Sequence, residues 1–376
     1  MAFTAVLFAG VFSAWATIGY FQIRHAGLAA LAVTLPLPIW FLGNGIALRL
    51  DAILVSFITL FACVFGFVCA LCVADRIARG VCDGLAPREG VRNAISALAV
   101  PILSVVMACG FSQLVVLLPY NLMDCLAVTA LLLIAFGAAI GMGWLARWLP
   151  YSERFIAEAN AAREIRERWI ARLSFVSAPR WALSLSGIAM VLGAIAFFGA
   201  RSPYLQGGPG WLAARYGEVA IVTFVLFALA LRNWRLALAQ VLTLLFEVLF
   251  GLWPISPGPM AGLSEDRMLF AVALAINAIP LMWLAWAVNG FLREGDEITT
   301  AILRALQQTG SAALSATIAA TIPWLVVTIS GGIARFEFAA GVAAIVATPL
   351  IFLALTGTIY TLLPRYRSVE EVFGKR

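Results

Sequence analysis

The chain has 376 residues, 63% of them apolar and 12% charged, and a mean hydropathy of +0.99. Soluble domains run about 45–50% apolar and about 25% charged, so this composition excludes a water-soluble core. The net charge of +6 comes with basic residues placed in loops, which reads as topology rather than nucleic-acid binding. The single histidine, His25, speaks against a His-based metal or triad site.

In chain order the apolar runs predict about eleven transmembrane helices, each near the roughly 20 residues a bilayer needs. They fall at 3–22, 27–48, 52–74, 95–119, 124–147, 182–200, 216–231, 236–254, 268–291, 312–332 and 338–363. Barrel strands would be about ten residues of alternating character. Continuous runs instead require helices, which pair their own backbone groups in hydrocarbon. The expected fold is therefore an all-α integral membrane protein. Met1 leads straight into the first run, which is longer than a signal-peptide core and lacks a small-residue cleavage site, so it reads as a retained span.

Six cysteines, Cys63, Cys69, Cys72, Cys82, Cys109 and Cys125, all fall in the first third. Cys69 and Cys72 form a C-x-x-C inside a predicted span with no second ligand pair, and packing explains them. With the N-terminus outside and the spans alternating, 20 of the 25 basic residues fall on the inner side, among them Arg76, Arg79, Arg88, Arg92, Arg293 and Arg304. Inner loops collect Lys and Arg, so the expected topology is N-terminus outside and C-terminus cytoplasmic. The longest polar stretch, within 151–180, carries Phe155, Ile165, Trp169, Ile170 and Leu173 at helical spacing among charges. It reads as an amphipathic helix on the inner membrane face.

That helix divides the chain. Residues 1–150 form a first repeat of five spans, 151–180 a linker helix, and 181–376 a second repeat of six. RHAGLAALAVTLPLPIWFLG aligns on RNWRLALAQVLTLLFEVLFG at an offset of 208, with Arg24/Arg232, Leu28/Leu236 and Gly43/Gly251 coinciding. GMGWLARWLPYSE resembles TGTIYTLLPRYRS at an offset of 214, with Leu149/Leu363 and Pro150/Pro364 coinciding. Two stretches in the same order and the same orientation make the repeat parallel, an arrangement transporters use with the pathway between the halves. The repeat predicts one element lost before residue 3.

After the third span comes VADRIARGVCDGLAPREGVRNAISAL, then PILSVVMACGF; the second half has VNGFLREGDEITTAILRALQQTGSAALSATIAATIPWL. A span running into a basic turn, then G-x-x-P-R-E…AI…AL, then a Ser/Thr-bearing span, resembles the resistance-nodulation-division (RND) superfamily. Its large mycobacterial membrane protein (MMPL) and hopanoid-exporter branch is the nearest in pattern. The resemblance implies two six-helix halves, proton-driven export of lipids or amphiphiles, and a bacterial inner-membrane location. Its implied partners are a membrane lipid or amphiphile, a separate periplasmic or membrane subunit, and a further copy of the chain. No cofactor, metal or nucleic acid is expected.

The sequence departs from that family in three ways. The first span of the first half is expected to have no counterpart in these residues. Large periplasmic domains are absent, with a short loop, ARSPYLQGGPGWLAARYGE, in the second half. The family's relay is an Asp-Tyr-like pair in each half's fourth span; those places fall near Val68 and near Met282–Trp283, where no acid stands.

One acid does lie inside a run: Glu247, in TLLFEVLFGLW. A charge there costs about 2.5–3.5 kcal/mol or more, and protonation removes most of that cost. Its counterpart is Ile39. Glu247 reads either as a proton or pathway site replacing the lost relay, or as a neutral carboxyl bonded to Gln240, Thr243 or Asn277. Asn277 and Pro280, in LAINAIPLM, combine an amide that can bond across helices with a Pro that leaves a carbonyl unpaired. Thr317, Thr321 and Ser330 fit the family's hydroxyl-bearing span, or bond back to their own helix. The pathway candidates are thus Glu247, Asn277, Pro280, Thr317 and Thr321. Tyr120, Asn121 and Asp124 sit at the outer boundary, and Asp75, Asp83, Glu89, Glu294, Asp296 and Glu297 beside arginines in the inner turns. Exposed pairs of that kind contribute little.

No G-x-x-x-x-G-K, G-x-S-x-G or H-E-x-x-H occurs, so neither ATP use nor those hydrolase chemistries is expected. Three functions remain open: an amphiphile transporter or its membrane portion, a non-transporting scaffold derived from one, and a membrane enzyme acting on lipid. The last is disfavoured because the outer loops are poor in acids, His and Arg. An enzyme is therefore not expected.

Overall fold

The computed structural model describes residues 52–117, 129–144 and 153–199 with short interruptions, 208–251, 265–321 and 335–363. The predicted spans 3–22 and 27–48, together with Ile39, Tyr120, Asn121, Asp124 and Ser330, lie outside the described residues, which do not establish the expected total of eleven spans. Every element described is a helix: α1 Ala52–Cys82, α2 Pro87–Leu117, α3 Glu153–Leu173, α4 Pro179–Gly199, α5 Gly208–Leu231, α6 Trp234–Gly251, α7 Glu265–Arg293, α8 Ile298–Ala320 and α9 Arg335–Leu362. By described side chains, Pro87–Phe111 and Ile345–Leu362 are long and apolar enough to cross a bilayer, and Gly217–Leu231 is a shorter apolar helix.

α2 and α8 both begin well before their apolar runs. α2 starts at Pro87 rather than 95, and α8 at Ile298 rather than 312. In both, the polar segment after the turn already has a buried face: Val91, Ala94 and Leu98 in α2, and Ala301, Ile302, Ala305 and Leu306 in α8. One apolar stripe is enough to hold a helix against its neighbours, so the helix starts at the turn and not at the edge of the hydrophobic run.

The turns that precede them are built alike. α1 ends in a bend where Leu85 N–H bonds the Gly80 carbonyl at 2.9 Å and Gly84 N–H bonds the Val81 carbonyl at 3.1 Å. α7 ends where Asp296 N–H bonds the Phe291 carbonyl at 3.1 Å and Gly295 N–H bonds the Leu292 carbonyl at 3.3 Å. Both are six-to-one and five-to-two closures around a left-handed glycine, which satisfy the last carbonyls of a helix. Gly84 has φ +89° and Gly295 φ +100°. Every corresponding pair, including the helix ends Cys82/Arg293 and starts Pro87/Ile298, is 211 positions apart. That offset lies between the two seen in the sequence. Pro87 suits the first helical position, where its missing N–H leaves no bond unmade, and Glu89 follows in the first turn.

The α1–α2 and α7–α8 hairpins stand against each other. α1 packs on α7, α2 on α7, and α8 on α1. The last two contacts exchange when the hairpins are exchanged, as a two-fold relation through the α1–α7 contact requires. Arg79, near the end of α1, donates from Nη1 to the Gln307 carbonyl of α8 at 3.3 Å, so the arginine turns of both hairpins lie at the same end of the bundle. Around this centre α5 lies on α2, α6 on α5 and α9, and α4 on α9, where the Ser186 and Thr358 hydroxyls bond at 3.0 Å. The α3 helix rests against α1 and α8.

The core runs through Phe65, Phe67, Leu71, Ile77, Phe227, Leu231, Leu236 and Phe352, all fully buried. Other apolar side chains stand exposed in stripes at helical spacing: Val100, Leu103, Met107 and Phe111 on α2, and Ile221, Val225 and Leu229 on α5. In water such stripes would be a liability. In a helical membrane protein they are the face offered to acyl chains.

Candidate functional site

α6 is the short helix of the set. It carries Gln240, Thr243 and Glu247 at spacings of three and four residues, so all three share a face. That face is turned inward, with all three side chains fully buried. α6 packs against α9, α5, α7 and α4. Of the three partners the sequence offered for Glu247, the structure selects Asn277 of α7, whose Nδ2 donates to Glu247 Oε1. Thr243 instead turns back on its own helix, donating to the Ala239 carbonyl at 2.7 Å. Gln240 makes no hydrogen bond with either side-chain atom among the described residues.

The pair is not fully satisfied either. Among the described residues, Glu247 Oε2 and Asn277 Oδ1 are buried without partners, as are the hydroxyls of Thr223 on α5 and Thr356 on α9. Buried side-chain polar atoms are nearly always bonded. All these atoms belong to α5, α6, α7 and α9, so among the described residues the unsatisfied polarity gathers in the second half of the chain.

Pro280 lies in α7 just past Asn277. It has no N–H, so the carbonyl of Ile276 lacks its usual helical donor. A third oxygen acceptor thus stands beside Asn277 in the sequence. Thr317, on α8, and Thr321, the residue that caps its end, bond back to that helix: Thr317 to the Ala313 carbonyl and Thr321 to the Ile318 carbonyl, both at 2.7 Å. The structure therefore brings Glu247 and Asn277 together with Pro280 nearby, and does not bring Thr317 or Thr321 into that pair.

Val68, Met282 and Trp283, the places of the family's relay, are buried on the two helices that meet at the centre. The acid closest in kind reaches α7 from the side, on α6.

A second polar cluster lies at the arginine end. Asn233 Nδ2 donates to Asn289 Oδ1 at 3.0 Å and to the Tyr360 hydroxyl at 2.7 Å. Asn289 Nδ2 donates to the Leu231 carbonyl at 2.6 Å, and Arg293 Nη2 to the same carbonyl at 3.0 Å. These bonds tie the α5–α6 turn, where Arg232 has φ +49°, to α7 and α9. The Arg235 guanidinium stacks over Tyr360 at 5.3 Å and Trp234 at 5.5 Å. On α1, Asp75 is buried and bonded to Arg79 at 2.7 Å. Sequence reading passed over Asn233 and Asn289. Their signal was present, since an amide next to or inside an apolar run has to find a partner.

No family model matches the chain, and no curated protein matches it. Among solved structures it is similar to the crystal structure of SecDF, a translocon-associated membrane protein, from Thermus thermophilus, with a TM-score of 0.50 and 14% sequence identity. The match covers 95% of this chain and 62% of that one, so the chain spans less than two thirds of the SecDF chain's length. At this identity the likeness shows the fold: a helical membrane body of the kind SecDF has.

Proposed function

We propose that the chain is a membrane transporter, or the transmembrane part of one, of the RND type, with the passage lying between the two halves. The observation that carries this reading is the α1–α7 contact, in which two helices lead into matching glycine turns 211 positions apart and each packs on the other's partner. Two like hairpins side by side in one sense can rock against each other around a shared seam, the mechanical requirement of alternating access. The SecDF-like fold supports the same reading.

The finer points rest on the sequence. The substrate class is lipid-like or amphiphilic, as in the MMPL and hopanoid-exporter branch. The arginine end faces the cytoplasm of a bacterial inner membrane, and export is linked to protons through Glu247 in place of the missing relay acids. The test is flux: the full chain in liposomes, given a fluorescent amphiphile and an imposed pH gradient, moves the amphiphile only with the gradient. Absence of gradient-dependent movement overturns the reading.

A second reading is a non-transporting accessory protein. It is favoured by the description of SecDF as translocon-associated. On this reading the chain co-purifies with a stoichiometric membrane partner and shows no gradient-dependent flux.

A further inference from the structure

The Glu247–Asn277 pair has an arithmetic that one proton completes. Asn277 Nδ2 donates to Glu247 Oε1. What remains is one oxygen on each side chain, Glu247 Oε2 and Asn277 Oδ1, both buried and both without partners among the described residues. An ionised carboxylate only accepts, and an amide oxygen only accepts. Two acceptors cannot bond one another. A carboxylic acid, by contrast, has one O–H to give.

We propose that Glu247 is a proton-binding site that holds its proton on Oε2 and donates it to Asn277 Oδ1, closing a two-bond acid–amide ring. The carboxylate takes one proton from water to become the acid; release returns that proton to water, and no other species is consumed. In the loaded state both orphaned atoms are bonded and the pair is neutral, the form hydrocarbon tolerates. In the empty state the carboxylate keeps one bond, and Asn277 Oδ1 and the Ile276 carbonyl freed by Pro280 are left to water or to a rearrangement of α6 against α7. The site thereby couples its proton to the packing of two helices.

The ionisable side chains described on α6 and on the helices packed against it are Arg180, Glu218, Arg235, Arg293 and Tyr360. Arg180 and Arg235 open α4 and α6, Arg293 closes α7, and Tyr360 is in the last turn of α9. Glu218 lies on α5 and is exposed. None is a hydrogen-bond partner of Glu247 among the described residues. The proton's use in transport rests on the reading above; its presence does not.

The test is infrared spectroscopy of the full chain in lipid nanodiscs at neutral pH, in light and heavy water. The wild type minus Glu247→Gln difference is expected to show a protonated-carboxyl C=O band that shifts on deuteration. Asn277→Val is expected to keep the band but move it, since its amide partner is gone. Glu247→Gln is expected to melt with the wild type, because its amide N–H donates where the acid O–H did. A difference spectrum without the band, a band unmoved in Asn277→Val, or a large drop in melting temperature for Glu247→Gln overturns the proposal. A band with no gradient-dependent flux leaves the proton site standing and removes the transport reading.

Discussion

Gly84 and Gly295 occupy the same place in two turns 211 positions apart, each in the left-handed region and each with open space where a Cβ would stand. A side chain there meets only backbone strain. Gly84→Ala and Gly295→Ala are each expected to cost about 1–2 kcal/mol, and the Asn variants less, because Asn tolerates this conformation. Thermal unfolding in detergent micelles measures it. A cost at only one of the two sites would break the equivalence of the turns.

Asp75 is buried against Arg79 at 2.7 Å, while Glu164 and Arg168 on α3 lie 3.9 Å apart with both side chains largely exposed. The same bond type therefore has two weights. Arg79→Ala removes a charged partner of a buried carboxylate and a link between α1 and α8, and is expected to lower stability by about 1–3 kcal/mol. Arg168→Ala is expected to leave the melting temperature unchanged. Equal effects would mean that burial does not set the value of these pairs.

Asn289 serves the α5–α6 turn with both ends of its amide. Asn289→Leu keeps the volume and removes both bonds, for an expected loss of about 1–3 kcal/mol. Limited proteolysis at the α5–α6 turn is expected to quicken in this variant before global unfolding does. Resistance equal to wild type would show that Arg293 holds the Leu231 carbonyl unaided.

Cys69, Cys72 and Cys109 are buried, while Cys82 is half-exposed beside the first glycine turn. In single-cysteine variants, a water-soluble maleimide is expected to label Cys82 in the folded protein and the other three only after denaturation. Fast labelling of Cys69 would place water against the centre of α1.

Part of the candidate site was legible in one dimension. Glu247 and Asn277 could be flagged because an ionisable or amide group inside an apolar run has nowhere to hide. Gln240 and Thr243 stood as equal alternatives to Asn277, since all are within reach by sequence or by helix adjacency. Thr317 and Thr321 could be read as pathway or as back-bonding; the structure gives the hydroxyls local partners, because a carbonyl three or four residues back is always at hand. The early starts of α2 and α8 were hidden because hydropathy marks where a helix is greasy, not where its backbone begins to wind.

Composition and the continuous apolar runs determined that this is a helical membrane protein, because no soluble core can absorb so much apolar surface and barrel strands would be short and alternating. The basic turns and their glycines were also local matters, written in a few adjacent residues. Only the tertiary structure decided that Asn277 meets Glu247, that Arg79 reaches across to Gln307, and that α1 lies against α7. Those contacts depend on the rotation and height of one helix relative to another. Packing of whole faces sets both quantities, and no stretch of chain contains them by itself.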